Sequence, residues 1–113
     1  MLSSFYFYLK EIKEMKLTKE EEKRWNEGCI QRTTSDLVSC RIEFQSALDR
    51  SIKLDDLSDD FEHMVATYKI LQYYMSKADE DAKTTPIYEI AESTVKEVKQ
   101  IINDTLQKAY YTH

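Results

Sequence analysis

Residues 18–53 read TKEEEKRWNEGCIQRTTSDLVSCRIEFQSALDRSIK, and this stretch decides the fold. It opens on Thr18-Lys19-Glu20-Glu21, a Thr followed three residues later by a Glu. In that pairing each side chain satisfies the other's free backbone N–H at a helix start. Apolar or small residues then recur at Trp25, Cys29, Thr33, Leu37, Cys40, Phe44, Leu48 and Ile52. Steps of three and four keep side chains on one side of a helix with about 3.6 residues per turn. One long helix from Lys19 to Lys53 is predicted, with Trp25 on its apolar stripe and read first as core, second as an interface anchor. Gly28 and Thr33-Thr34-Ser35 are weak helix formers, so a continuous helix and one bent near 33–35 both stand.

The same periodicity extends outward. Leu54-Asp55-Asp56-Leu57-Ser58 reads as a turn, with Ser58 or Asp59 capping the next helix and Asp59/Glu62 as a second box-like pair. That helix carries Phe61, Tyr68, Met75 and Ala82 at sevens, with Met64, Leu71 and Ala78 three residues behind the first three. This is a coiled-coil seam suited to antiparallel packing. Thr85-Pro86 marks the last helix start: Thr at the cap, and Pro where its missing N–H is harmless. Ile87, Ile90, Ala91, Thr94, Val95, Val98, Ile101, Ile102, Thr105, Leu106 and Ala109 then make a broad apolar face, which predicts a central helix. At the other end Phe5, Tyr8, Leu9, Ile12 and Met15 fit a short helix capped by Ser4. Glu20/Arg24, Asp49/Lys53, Asp79/Lys83, Glu92/Lys96 and Asp104/Lys108 are acid-first i,i+4 pairs that suit solvent faces. The expected fold is all-α: an antiparallel bundle of three long helices plus a short N-terminal one, with residues 1–113 as one domain.

Composition narrows the class further. The chain has one Gly and one Pro, too few for a β-sandwich's turns or a phosphate-binding glycine loop. Its hydrophobic share, 42%, is enough for a core. The formal charge of −5 argues against direct nucleic-acid binding, which needs a basic face. No stretch has the roughly 20 apolar residues of a membrane span, and the N-terminus lacks a signal peptide's basic region and cleavage site. Cys29 and Cys40 on one helix are about 16 Å apart along its axis, too far to bridge. Reduced thiols and a cytoplasmic location are the resulting expectation.

Catalytic chemistry finds few residues to work with. The histidines are His63 and His113. Asp60 and His63 form one carboxylate–histidine pair on a helical face, whereas a di-metal bundle site needs two such pairs and further carboxylates. Asp55, Asp56, Asp59 and Asp60 lack the glycine and terminal glutamate of a calcium loop and read as capping charge. Cys29 and Cys40 fall on the apolar stripe and read as buried structural thiols. No catalytic residue, metal site or cofactor is expected, and the chain is read as a non-enzyme.

The aromatics carry more. Eight tyrosines exceed what so small a bundle can bury beside its aliphatic seams, so they either line the wet edge of the core or form exposed patches. Exposed aromatic patches mark binding surfaces, and Tyr suits them because it joins a rigid apolar ring to a polar tip. Phe5, Tyr6, Tyr8, Tyr73, Tyr74, Tyr110 and Tyr111 are the candidate partner-binding residues. The expected function is a small protein-binding module (adaptor, chaperone, inhibitor or assembly subunit) with acidic rims that set partner choice. Self-association is open, since the seam can be satisfied within one chain or between two copies.

Tyr8-Leu9-Lys10-Glu11-Ile12, Leu17-Thr18 and Glu20-Glu21-Glu22 together resemble the opening of the region that precedes the core-binding helices of primary sigma factors. The resemblance covers residues 8–22 and departs from the family in spacing. The residues beyond 22 lack the family's aromatic, basic promoter-melting segment, so no residue role is carried over. With the acidic charge, the resemblance supports an alternative expectation: a transcription-associated regulator that binds polymerase or a DNA-binding protein, as an acidic competitor for DNA.

Overall fold

A computed structural model describes residues 17–50 and 57–111, the last three as backbone only. Among these, all regular structure is helical: α1 (Lys19–Asp49), α2 (Ser58–Ser76) and α3 (Pro86–Tyr111), with a 3-10 turn at Ala82–Thr84 leading into α3. The all-α expectation holds. The expected N-terminal helix lies outside the described residues, as do Ile52, Lys53 and most of the acidic turn.

The starts of α1 and α3 follow from their capping residues. Glu21 N–H donates to Thr18 Oγ1 at 3.2 Å, and Thr18 N–H donates to Glu21 Oε1 at 3.1 Å. These contacts, led by the Thr18 N–H, hold the Glu21 carboxyl below the usual carboxylate range. At α3, Tyr88 N–H donates to Thr85 Oγ1 at 3.3 Å, with Pro86 as the first helical residue. The cap expected at Ser58 or Asp59 is a correction: Leu57 holds that position, and no side chain caps the helix there. Leu57 is instead 1% exposed, so α2 is anchored at its start by an apolar plug. Helix α1 runs unbroken through Gly28 and residues 33–35 and ends at Asp49, short of the predicted Lys53.

The core follows sevens more closely than fours. Ile30, Leu37 and Phe44 of α1, Leu57, Met64 and Leu71 at α2, and Ala91 and Val98 of α3 are each 2% exposed or less. A step of seven residues drifts about 20° around a helix, whereas a step of four drifts about 40°. Trp25 is three steps of four from Leu37 and is therefore rotated about 120° off the core line. It is 58% exposed, not the core residue expected. Each large apolar side chain buried in this way contributes about 1.5–3 kcal/mol.

Among the described residues, four polar residues are buried in the core, and all are threonines. Thr34, Thr67, Thr94 and Thr105 donate their hydroxyls to the carbonyls of Ile30, His63, Ile90 and Ile101, at 2.6, 2.9, 2.8 and 2.7 Å. Each satisfies itself within its own helix, so the interior holds them without an orphaned donor.

Asn26 reaches Tyr74, Cys40 lies beside His63, and the Phe44 and Phe61 rings are 5.7 Å apart. Helix α1, not α3, is the element that packs most extensively on both others. The breadth of α3's apolar face misleads because its buried line is made of small residues. Ile90 and Leu106 lie eight residues either side of Val98, hence about 80° off that line, and are 58% and 53% exposed. Among the described residues, the expected Asp79/Lys83 pair is replaced by pairs with other partners. Asp79 pairs with Lys23 and Lys83 with Glu80, while Arg41 reaches from α1 to Glu97 of α3. No described helix is long and apolar enough to cross a membrane.

Candidate functional site

The polarity of α1's first turns creates the site. The line Ile30–Leu37–Phe44, followed back toward the N-terminus, meets Asn26, Lys23, Glu22 and Lys19 instead of apolar residues. The core therefore stops near Cys29 and Ile30. Beyond it an open groove of about 850 Å³ separates the start of α1 from the end of α2 and the following turn. Trp25, Tyr73, Tyr74, Leu17 and Ala78 supply its apolar and aromatic lining. Lys19, Lys23 and Lys77 alternate with Glu22, Glu27 and Asp79 around it, so its rim carries both signs.

Adjacent helical residues point about 100° apart, so Tyr73 and Tyr74 cannot both face the core. Tyr74 is half-buried and packs on the core cluster, and its carbonyl accepts the Asn26 side-chain amide at 3.2 Å. Tyr73 turns outward at 55% exposure, edge-on to Tyr74 with ring centroids 5.7 Å apart. Cations flank both outer rings. Lys77 Nζ lies 4.6 Å from the Tyr73 centroid, four residues on, and the Arg32 guanidinium lies 5.9 Å from Trp25, seven residues on. The hydrogen bond with Tyr73 holds the Lys77 ammonium above its ordinary range. Negative charge at Cys29, then burial and the Cys29 hydrogen bond, push the Tyr74 phenol upward, opposed by Arg32.

Of the sequence-predicted partner residues, Tyr73 is on this surface and Tyr74 forms its inner wall. Phe5, Tyr6 and Tyr8 lie outside the described residues. Tyr110 and Tyr111 fall in the last turn of α3, where side chains are not described. Trp25 is the site residue that sequence reasoning assigned to the core. The signal that could have found it was the accumulated drift of successive fours.

A second juxtaposition joins residues that are distant in sequence. Cys40 Sγ is 3.8 Å from His63 Nδ1 and 3.9 Å from Thr67 Oγ1. Cys40 is buried and free, as is Cys29. Among the described residues, no group of three or more His, Cys, Asp or Glu side chains is arranged to hold a metal ion. Comparison of the chain with protein-family models, with curated proteins and with solved structures finds no match in any of the three.

Proposed function

We propose that this chain is a non-catalytic, cytoplasmic protein-binding module that docks a partner's apolar helical segment in the groove between α1 and the end of α2. One observation carries the reading: Trp25 and Tyr73, two of the groove's three aromatic side chains, are both more than half exposed in a molecule whose core is filled without them. Trp and Tyr are the residues most enriched at binding hot spots, and an exposed aromatic patch is where a partner gains apolar contact. The mixed-sign rim supports an apolar contact with polar edges over a purely acidic surface that mimics DNA. The antiparallel arrangement of the bundle belongs to this proposal. The run of α1–α2 contacts supports it, since residue numbers rise along α1 as they fall along α2.

The test compares tagged full-length chain with the double variant Trp25→Ser, Tyr73→Ser and with Ile42→Ser, an exposed α1 site outside the groove. Proteins captured by the wild type are expected to bind the double variant about thirtyfold more weakly, the equivalent of about 2 kcal/mol for a hot-spot aromatic. Ile42→Ser should leave them unchanged. Unaltered affinity for every captured protein, with helix content retained in the double variant, would overturn the reading.

A further inference from the structure

We propose that Cys40 and His63 form a thiol modification site, at which a hydroperoxide oxidises Cys40 to a sulfenic acid while His63 takes the thiol proton. The two residues belong to different helices, and the packing of α1 on α2 brings Cys40 Sγ to 3.8 Å from His63 Nδ1. That is hydrogen-bond reach for a sulfur, and a nucleophile in such reach of a base is the arrangement that activates a side-chain thiol. His63 is exposed, so the pair stands at the margin of the α1–α2 seam, where a small solute meets it.

The hydrogens available fix the roles. The Thr67 hydroxyl, 3.9 Å from Cys40 Sγ, already donates to the His63 carbonyl at 2.9 Å. A hydroxyl has no second proton to give, so toward Cys40 it only accepts. The Cys40 S–H therefore donates to Thr67 Oγ1 or to His63 Nδ1, and of these only the imidazole nitrogen is basic enough to take the proton away. The tautomer that serves carries its proton on Nε2 and leaves Nδ1 free to accept.

In the reaction, Cys40 Sγ attacks one peroxide oxygen, and the S–O bond forms as the O–O bond breaks. Sulfur gives up two electrons and the peroxide gains them. The thiol proton passes to Nδ1 and on to the departing oxygen, which with hydrogen peroxide leaves as water. Cys40 is then a sulfenic acid and His63 is neutral again. The event is stoichiometric, once per chain. Cys29 lies about 16 Å away along α1, so no intrachain disulfide follows.

Cys29 supplies an internal reference. Both thiols are 7% exposed, so a small oxidant meets a similar barrier at each. The neighbour of Cys29 is the Tyr74 phenol, which keeps its proton at neutral pH and is no base there. A difference in rate thus reads the neighbour and not the burial. Hydrogen peroxide is the probe because it is little larger than water and enters so narrow an opening.

The folded full-length chain is treated with hydrogen peroxide, the reaction is stopped with catalase, and the chain is denatured in iodoacetamide and digested with trypsin. Cleavage after Arg24, Arg32 and Arg41 puts Cys29 and Cys40 on separate peptides, whose surviving thiols are quantified by mass. In the wild type Cys40 should be lost on the order of tenfold faster than Cys29. His63→Ala should slow Cys40 to near the Cys29 rate and leave Cys29 unchanged. That direction separates proton transfer from packing: removing the exposed ring uncovers Cys40, so a purely structural role for His63 would speed its loss. Should His63→Ala lose cooperative thermal unfolding, His63→Gln, which fills the space without a basic nitrogen, carries the same comparison. Equal loss of the two thiols in the wild type would overturn the inference, as would an unchanged or faster loss of Cys40 in the variant.

Discussion

Tyr74 joins the core to the groove, and its phenol gives a pH signature. Negative charge at Cys29 opposes a second negative charge beside it, and partial burial acts in the same direction. A folded-state value raised above the unfolded one means that folding favours the neutral phenol. The stability it contributes is complete below the ordinary phenol value of about 10, and is lost as pH rises from there through the raised value. Tyrosinate absorbance should show one phenol that ionises above the usual range and is missing in Tyr74→Phe. In Cys29→Ser that step should move down toward the usual range; an unmoved step would show that Cys29 is not its main cause. This coupling was not legible in the sequence. Residues 29 and 74 are brought together only by the packing of α1 on α2, whereas the buried thiols themselves could be read from the apolar stripe.

At the scale of the element, α1 carries one avoidable weakness. Gly28 sits inside a continuous helix, and a Cβ added there would meet nothing within 4 Å. Glycine in a helix interior costs about 0.5–1 kcal/mol relative to alanine, mainly through the backbone freedom it gives up on folding. Gly28→Ala is therefore expected to stabilise the protein by about that amount and raise the Tm by several degrees. A drop in Tm on thermal unfolding would contradict the open space beside Gly28. Elements were the most legible feature of this sequence, for a local reason. The Thr18–Glu21 box and Thr85-Pro86 fix helix starts through bonds spanning three residues, which a sequence displays directly. Ser58 misled because a serine beside acidic residues looks like a cap, whereas here burial of Leu57 sets the entry to α2. Trp25 misled because steps of four resemble a stripe locally and leave it after three repeats.

At the scale of the molecule, the sequence indicated a helical core but not which helix the others surround. The number of apolar residues pointed to α3; burial favours α1, because small residues form α3's fully buried line while Ile90 and Leu106 stay exposed and Ile101 and Ile102 are only partly buried. The groove was half legible. An excess of aromatics was visible, while its position depended on where two helices diverge.

The shallow seat of α3 bears on how the native state breathes. Its fully buried line is Ala91, Thr94, Val98 and Thr105, with the bulkier Tyr88, Val95, Ile101 and Ile102 only partly buried beside it, and it packs less on α2 than on α1. Cooperative units held by few buried apolar contacts detach first in native-state amide exchange. Amides near Val95 and Val98 are expected to exchange through a partial opening that leaves Leu37 and Cys40 protected. Equal protection at all four would instead describe a molecule that opens only as a whole. In a chain with a single glycine and a single proline, deformability would then come from one lightly held helix lifting away, with the backbone itself remaining stiff.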